Sequence, residues 1–209
     1  MRVLVLGATG RVGKLIVEQA LARGHAVTAL LRDPRKVGDL AGRLLAIEGD
    51  ALDRNAVERS VEGQDAVIYA LGAGNVRQTN LFSASTQILV NAMERHRIRR
   101  LIAITGVGAG DTKGHGGFLY DRVIYPLFTR KIYEDKDRQE ALIRATALDW
   151  VLLRPAPFQE KVPREDLRVA LNVEGVTLRR ISPHEVAAFA VDQLESDKYV
   201  HQAPFVGHP

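Results

Sequence analysis

Three glycines spaced three apart, Gly7, Gly10 and Gly13 in "GATGRVG", stand directly behind the apolar run "RVLVL" (2–6). Between a strand and a helix, that spacing suits the binding of phosphate. Gly7 allows a tight turn. The open loop of Ala8, Thr9, Gly10, Arg11 and Val12 brings backbone N–H groups toward a pyrophosphate. Gly13 permits close packing of helix on strand, and the helix N-terminus faces the anion.

The end of the second strand selects the cofactor. An NAD site would put Asp or Glu there, for the ribose hydroxyls. Here "AVTALLR" (26–32) ends in Arg32, and a guanidinium suits a 2′-phosphate bidentately. Arg11 and Arg35 add charge on either side. The expected cofactor is therefore NADP(H) in preference to NAD(H), with Asp33 read as a helix cap. Asp50 in "GDALD" falls where adenine should lie, able to accept from an exocyclic amine, with Ala51 and Leu52 flanking the base. Ala70, Leu71 and Gly72 after strand four let backbone approach the cofactor closely.

The acceptor side is less marked. "TGVGAGDTKGHGGF" (105–118) reads as a mobile glycine-rich lid, and "FLYDRVIYPLF" (118–128) as an amphipathic segment kinked at Pro126. Its aromatics Phe118, Tyr120, Tyr125 and Phe128 are either core or dimer contacts or an acceptor cradle. His115 in the lid is either an idle surface histidine or a proton donor. The six histidines show no paired spacing on one element and there is no cysteine, so no metal site is expected.

These residues need a scaffold of alternating strands and helices. Strands are expected at 2–6, 26–32, 44–50, 65–72, 100–105 and 149–155, with short ones near 168–171, 176–179 and 204–206. Helices are expected at 11–24, after Asp33-Pro34, at 52–63, 79–97 and 183–195, with a helix-rich segment running to about 146. "YEDKDRQEALIRATALDW" reads as a solvated helix with Lys136 paired to Glu140, and "SPHE" as a capping box of Ser182 with Glu185. Helical crossovers make the sheet parallel. The fold class is α/β: a Rossmann-type doubly wound parallel sheet in three α/β/α layers. Residues 1–209 form one NAD(P)-binding domain, with small substrate-side elements in 106–135 and 156–209.

The chain has 209 residues, 46% hydrophobic and 26% charged, with 25 acidic against 29 basic side chains. That balance argues against a nucleic-acid partner. The absence of an 18-residue apolar run argues against a membrane span. No signal peptide fits, and the expected location is cytoplasmic.

The sequence resembles the atypical short-chain dehydrogenase/reductase family, in its NAD(P)H-binding subgroup. Within that subgroup it is similar to the flavin reductase/biliverdin-IXβ reductase group. The resemblance rests on "GATGRVG", "LLRDP", "EGDALD", "AVIYALG", "LIAITGVGAGD", "DKDRQEALIRATALDWVLLRP" and "ISPHEVAAF", and covers nearly the whole chain. It implies that NADPH lies over the strand ends, with Arg32 on the 2′-phosphate. The strand-six segment Arg154, Pro155, Ala156, Pro157 and Phe158 then lies beside the nicotinamide. It also makes Thr105, at the end of strand five, and Lys136 candidates near the reacting ring.

Two features depart from the family. Its typical dehydrogenases use a Tyr with a Lys four residues on, but Tyr69, Tyr120, Tyr125, Tyr133 and Tyr199 are followed at that distance by Ala73, Ile124, Thr129, Asp137 and Ala203. Gly106 and Pro157 stand where the flavin reductase group has Ser and His. Alcohol and sugar-epimerase chemistry is disfavoured. Hydride transfer to a flavin, quinone or similar conjugated acceptor needs only a stacked ring and a proton source, with Phe158 as part of the wall. The expected function is an NADPH-dependent oxidoreductase of such a small-molecule acceptor, monomeric or homodimeric. The alternative is an NADP(H)-binding redox sensor.

Overall fold

A computed structural model describes residues 1–72, 80–115, 122, 130–160 and 167–209. Six parallel strands, β1 (Arg2–Leu6), β2 (Ala26–Leu31), β3 (Leu45–Glu48), β4 (Ala66–Tyr69), β5 (Arg100–Ile104) and β6 (Asp149–Pro155), are followed by β7 (Arg168–Ala170) and β8 (Phe205–Gly207). They form one sheet in the order β3-β2-β1-β4-β5-β6-β8-β7, in which only β7 runs antiparallel. The order reverses between β1 and β4, so the loops leaving those strands diverge and open a crevice at their carboxyl ends.

Alternation along each strand divides the core between two faces. Val3, Val5, Ala29, Leu31, Ile68, Ile102 and Leu153 point to one face, against α1 (Arg11–Ala22) and α5 (Pro183–Asp192). Leu4, Leu6, Leu30, Val67, Leu101 and Leu152 point to the other, against α2 (Arg54–Val61), α3 (Leu81–Arg95) and α4 (Arg130–Arg144). Burying each large aliphatic side chain contributes roughly 1.5–3 kcal/mol. At β3 the side chains are mostly exposed, and the sheet ends there. No described helix is long and apolar enough to cross a membrane.

Local chemistry sets the helix starts. Asp33 accepts from the Arg35 N–H and caps a 3₁₀ helix with Pro34 at its first position. Asp53 caps α2, and Ser182 with Glu185 forms the expected capping box on α5. The start of α3 is capped from outside. Its Asn80 makes no side-chain cap, and Asp135 of α4 accepts from the Phe82 N–H at 2.7 Å instead.

The strand expected at 176–179 does not form. A turn from Val173 to Val176 precedes it, and Leu178 and Arg179 give single backbone bonds to His115 and His208. Buried Val176 and Leu178 produced the alternation in sequence, but their backbone runs no ladder. Strand pairing in this region reduces to isolated bridges, Arg180 with His208 and Ile181 with Phe158. The segment 118–128, with its aromatics and Pro126, falls outside the described residues but for Arg122.

Candidate functional site

Two cavities meet over the carboxyl ends of the strands. One, of about 640 Å³, is lined by Gly7, Thr9, Gly10 and Arg11, by Arg32, by Asp50, Ala51 and Leu52, and by Leu71 and Gly72. The other, of about 400 Å³, shares Gly10, Arg11, Leu71 and Gly72 and adds Val12, Ala70, Thr105 and Pro155 through Phe158. The glycine loop sits where they join. Gly7 has φ +87°, and a Cβ there would lie 2.5 Å from the carbonyl oxygen of Ala70. A Cβ on Gly13 would overlap the Gly7 carbonyl oxygen, so helix and strand pack as the spacing anticipates. Ala8 is buried in the core and, with Gly13, backs the loop rather than lining it. No side chain caps α1 and no acidic residue occupies its first turn, so its N-terminal dipole is left open to an anion.

On the first cavity's far side Arg32 is exposed beyond the end of β2. Arg35 is not brought with it. Its guanidinium forks onto Asp33 at 2.9 and 3.1 Å, and that contact holds the Asp33 carboxyl below its usual pKa. Asp50 lines the cavity while one of its carboxylate oxygens accepts from the Leu52 N–H at 2.9 Å. Asp50 thus makes a turn contact at the cavity wall.

The second cavity has mostly apolar walls: Leu71, Ile104, Val107, Ala156, Pro157 and the half-exposed ring of Phe158. Arg11 stands 5.8 Å over that ring and pairs with Glu160 at the rim. α4 supplies Tyr133 and Lys136, one turn apart on a single helix face. The Lys136 ammonium donates to the carbonyl of Thr105 and lies 4.9 Å over the Phe82 ring. Burial draws its pKa down to about 8, while Glu140 and Asp135 pull the other way.

Glu140 is not the solvated partner expected for Lys136. It is 3% exposed. Its Oε1 accepts from the Thr105 hydroxyl at 2.7 Å and from Arg154 Nε at 3.0 Å, and its Oε2 accepts from Arg154 Nη2 at 2.6 Å. The Thr105 hydroxyl is thus committed to Glu140, and the residue faces Lys136 through its carbonyl. The Arg154 side chain is spent behind the loop, on Glu140 and Asp111, while Pro155 to Phe158 reach the cavity.

His115 does not reach the cavity; its Nδ1 is bonded to the Val176 carbonyl at 2.6 Å. Nor do residues 106–115 hang free as a lid. The Val107 N–H donates to Pro155, the Gly110 N–H and Lys113 to Asp137, and Asp111 holds Arg154. Glycine content suggested freedom, but polar side chains outside the loop fix it. The cavities also take in residues that the sequence did not single out, Leu81 and Ile104 among the apolar ones and Tyr133 on α4, which has no lysine four residues on to mark it. The signal that could have found it is Tyr133, Lys136 and Glu140 at i, i+3 and i+7, one stripe of a helix.

A profile of the NAD(P)H-binding family matches residues 7–197. The chain is 28% identical to the Photosystem II assembly factor Ycf39 of a Synechocystis species over 99% of its own length, and spans 63% of that protein. Among solved structures, ChuY of Escherichia coli O157:H7, an anaerobilin reductase, superposes with a TM-score of 0.82 at 21% identity, covering 100% of this chain and 98% of that one. A short-chain dehydrogenase/reductase of Veillonella parvula in complex with NADP gives 0.80 at 18% identity, covering 100% and 94%.

Proposed function

Since this chain belongs to the NAD(P)H-binding oxidoreductase family, whose cofactor is a nicotinamide dinucleotide, we propose that it is an NADPH-dependent reductase of a flavin, quinone or similar conjugated acceptor. The fit of the dinucleotide rests on the cradle: a loop packed too closely at Gly7 and Gly13 for side chains, an uncapped helix start, and a crevice at the switch point. Gly7, Thr9, Gly10 and Arg11 would hold the pyrophosphate, Arg32 the 2′-phosphate, Asp50 and Leu52 the adenine, and Ala70 to Gly72 with Pro155 and Ala156 the nicotinamide end. The bound dihydronicotinamide supplies a hydrogen with its electron pair and is left oxidised.

The protein's share is to seat the acceptor and manage charge. Ile104, Val107, Pro157 and Phe158 exclude water and align a flat ring. An acceptor that gains a hydrogen with its electron pair also gains a negative charge. Lys136 is placed to neutralise that charge and give up a proton, then regain one from water. The observation that carries this reading is the Lys136 ammonium on the wall of an apolar cavity adjoining the glycine loop, with its pKa brought close to working pH. The test is NADPH oxidation in the presence of FMN, riboflavin and small quinones, with NADH in parallel. Turnover of at least one acceptor is expected, faster with NADPH.

A second reading, an NADP(H)-binding factor that regulates a partner, draws support from the similarity to Ycf39, which is described as an assembly factor. Tight NADPH binding with no turnover of any acceptor would favour it.

A further inference from the structure

We infer that Glu140, locked by Arg154, is the positioning residue of the reactive wall: it holds the hydroxyl of Thr105, whose carbonyl receives the Lys136 ammonium, and sets a carboxylate behind that ammonium. The inference rests on the role proposed for Lys136.

The geometry is a short chain of contacts. The Arg154 fork holds both oxygens of Glu140, at 3.0 and 2.6 Å. Glu140 holds the Thr105 hydroxyl at 2.7 Å, and the Thr105 carbonyl receives the Lys136 ammonium. Asp111 takes the other end of the guanidinium. Glu140 and Arg154 are each only 3% exposed, and neither lines the cavity. A buried ion pair seldom stabilises a fold more than apolar residues of the same volume. Its placement directly behind Thr105 and Lys136 gives it another use.

Charge around Lys136 can be traced element by element. From α4 come Asp135 and Glu140, which favour the ammonium, and the Tyr133 ring at 5.8 Å. From α3 comes the Phe82 ring, and from the end of β5 the Thr105 carbonyl. From β6, Arg154 stands behind Glu140, and Arg144 of α4 approaches the same Glu140 oxygen at 3.6 Å. Asp135 is already engaged by the Phe82 N–H, the Ser83 hydroxyl and Arg138. Of the two carboxylates, Glu140 is the one that holds the hydroxyl of the residue whose carbonyl receives the ammonium, while the Thr105 N–H donates to the Leu153 carbonyl.

The test is the titration of Lys136 itself, by competitive acetylation with acetic anhydride across pH, read at that residue by mass spectrometry in the full chain. Glu140→Gln should lower the midpoint by about one unit, since a nearby opposite charge is worth roughly that or more. Glu140→Asp should restore most of it. Asp137→Asn, an α4 carboxylate engaged with Gly110 and Lys113, should leave it in place. In turnover, Glu140→Gln should lower kcat about tenfold or more with the NADPH KM little changed. If Glu140→Gln fails to fold with Arg154 held by Asp111 alone, the double variant Glu140→Gln/Arg154→Met removes both charges of the buried pair and should still lower the midpoint. A Lys136 midpoint equal to wild type in the foldable variant would overturn the inference. Because the labelling needs no substrate, failure of the functional reading shows separately, as turnover that survives Lys136→Met.

Discussion

The hydroxyl of Tyr133 fills the space that a side chain on Gly106 would need: a Cβ at residue 106 would lie 3.1 Å from it, on a backbone with φ +110°. The loop after β5 and the inward face of α4 are therefore fitted to each other across the cavity wall. At Gly106 the strand-five loop leaves room for a tyrosine reaching in from the neighbouring helix.

Gly106→Ser should accordingly be destabilising. A side chain at such a φ costs about 1–3 kcal/mol, or a fall in Tm of several degrees for a chain of this size. Acceptor turnover should fall with it. Adding Tyr133→Phe should return part of the turnover but little of the Tm, which thermal unfolding and steady-state rates together would read.

Arg32→Ala should weaken NADPH far more than NADH. Losing a charge-assisted contact costs roughly 1.5–3 kcal/mol, or about one to two decades of affinity. Arg35→Ala should change NADPH affinity less than about threefold, because Asp33 already holds that guanidinium. Calorimetric titration of both variants with both cofactors checks this. Equal weakening of NADPH and NADH by Arg32→Ala would remove the NADP preference.

His115→Ala should leave turnover within about twofold, since the imidazole is bonded to Val176 and lines neither cavity. The loss should be in stability, about 1 kcal/mol for the hydrogen bond, visible as a lower denaturation midpoint. A drop of two decades in kcat would make it the proton donor after all.

Phe158→Ala should raise the acceptor KM about tenfold while NADPH affinity stays within about twofold. The ring is 42% exposed and faces the cavity, and loss of a stacking surface costs about 1–3 kcal/mol. Fluorescence titration of NADPH beside steady-state kinetics separates the two effects.

The sheet and the glycine loop were legible because their signals are local. "RVLVL" before "GATGRVG" defines a strand, a turn and a helix start within thirteen residues. The wall opposite was not, because it depends on pairs 14 to 53 residues apart: Glu140 with Arg154, Thr105 with Glu140, Asp135 with the start of α3. A charged run such as "YEDKDRQE" looks solvated in sequence. Only packing against α3 and β6 reveals that Asp135, Gln139 and Glu140 are its buried stripe. The strand expected at 176–179 failed in the opposite way, since alternation there reports burial without pairing.

The most direct test of the account is kcat against pH at saturating NADPH and acceptor, in wild type and in Lys136→Met. A proton donor works only while protonated, so wild-type turnover should fall on the alkaline side with a midpoint near 8, the pKa to which burial draws Lys136. Lys136→Met should lose about a hundredfold or more in kcat, as removal of a positioned acid does, and should lack that alkaline limb. Undiminished turnover in Lys136→Met, with the same pH profile, would contradict the account.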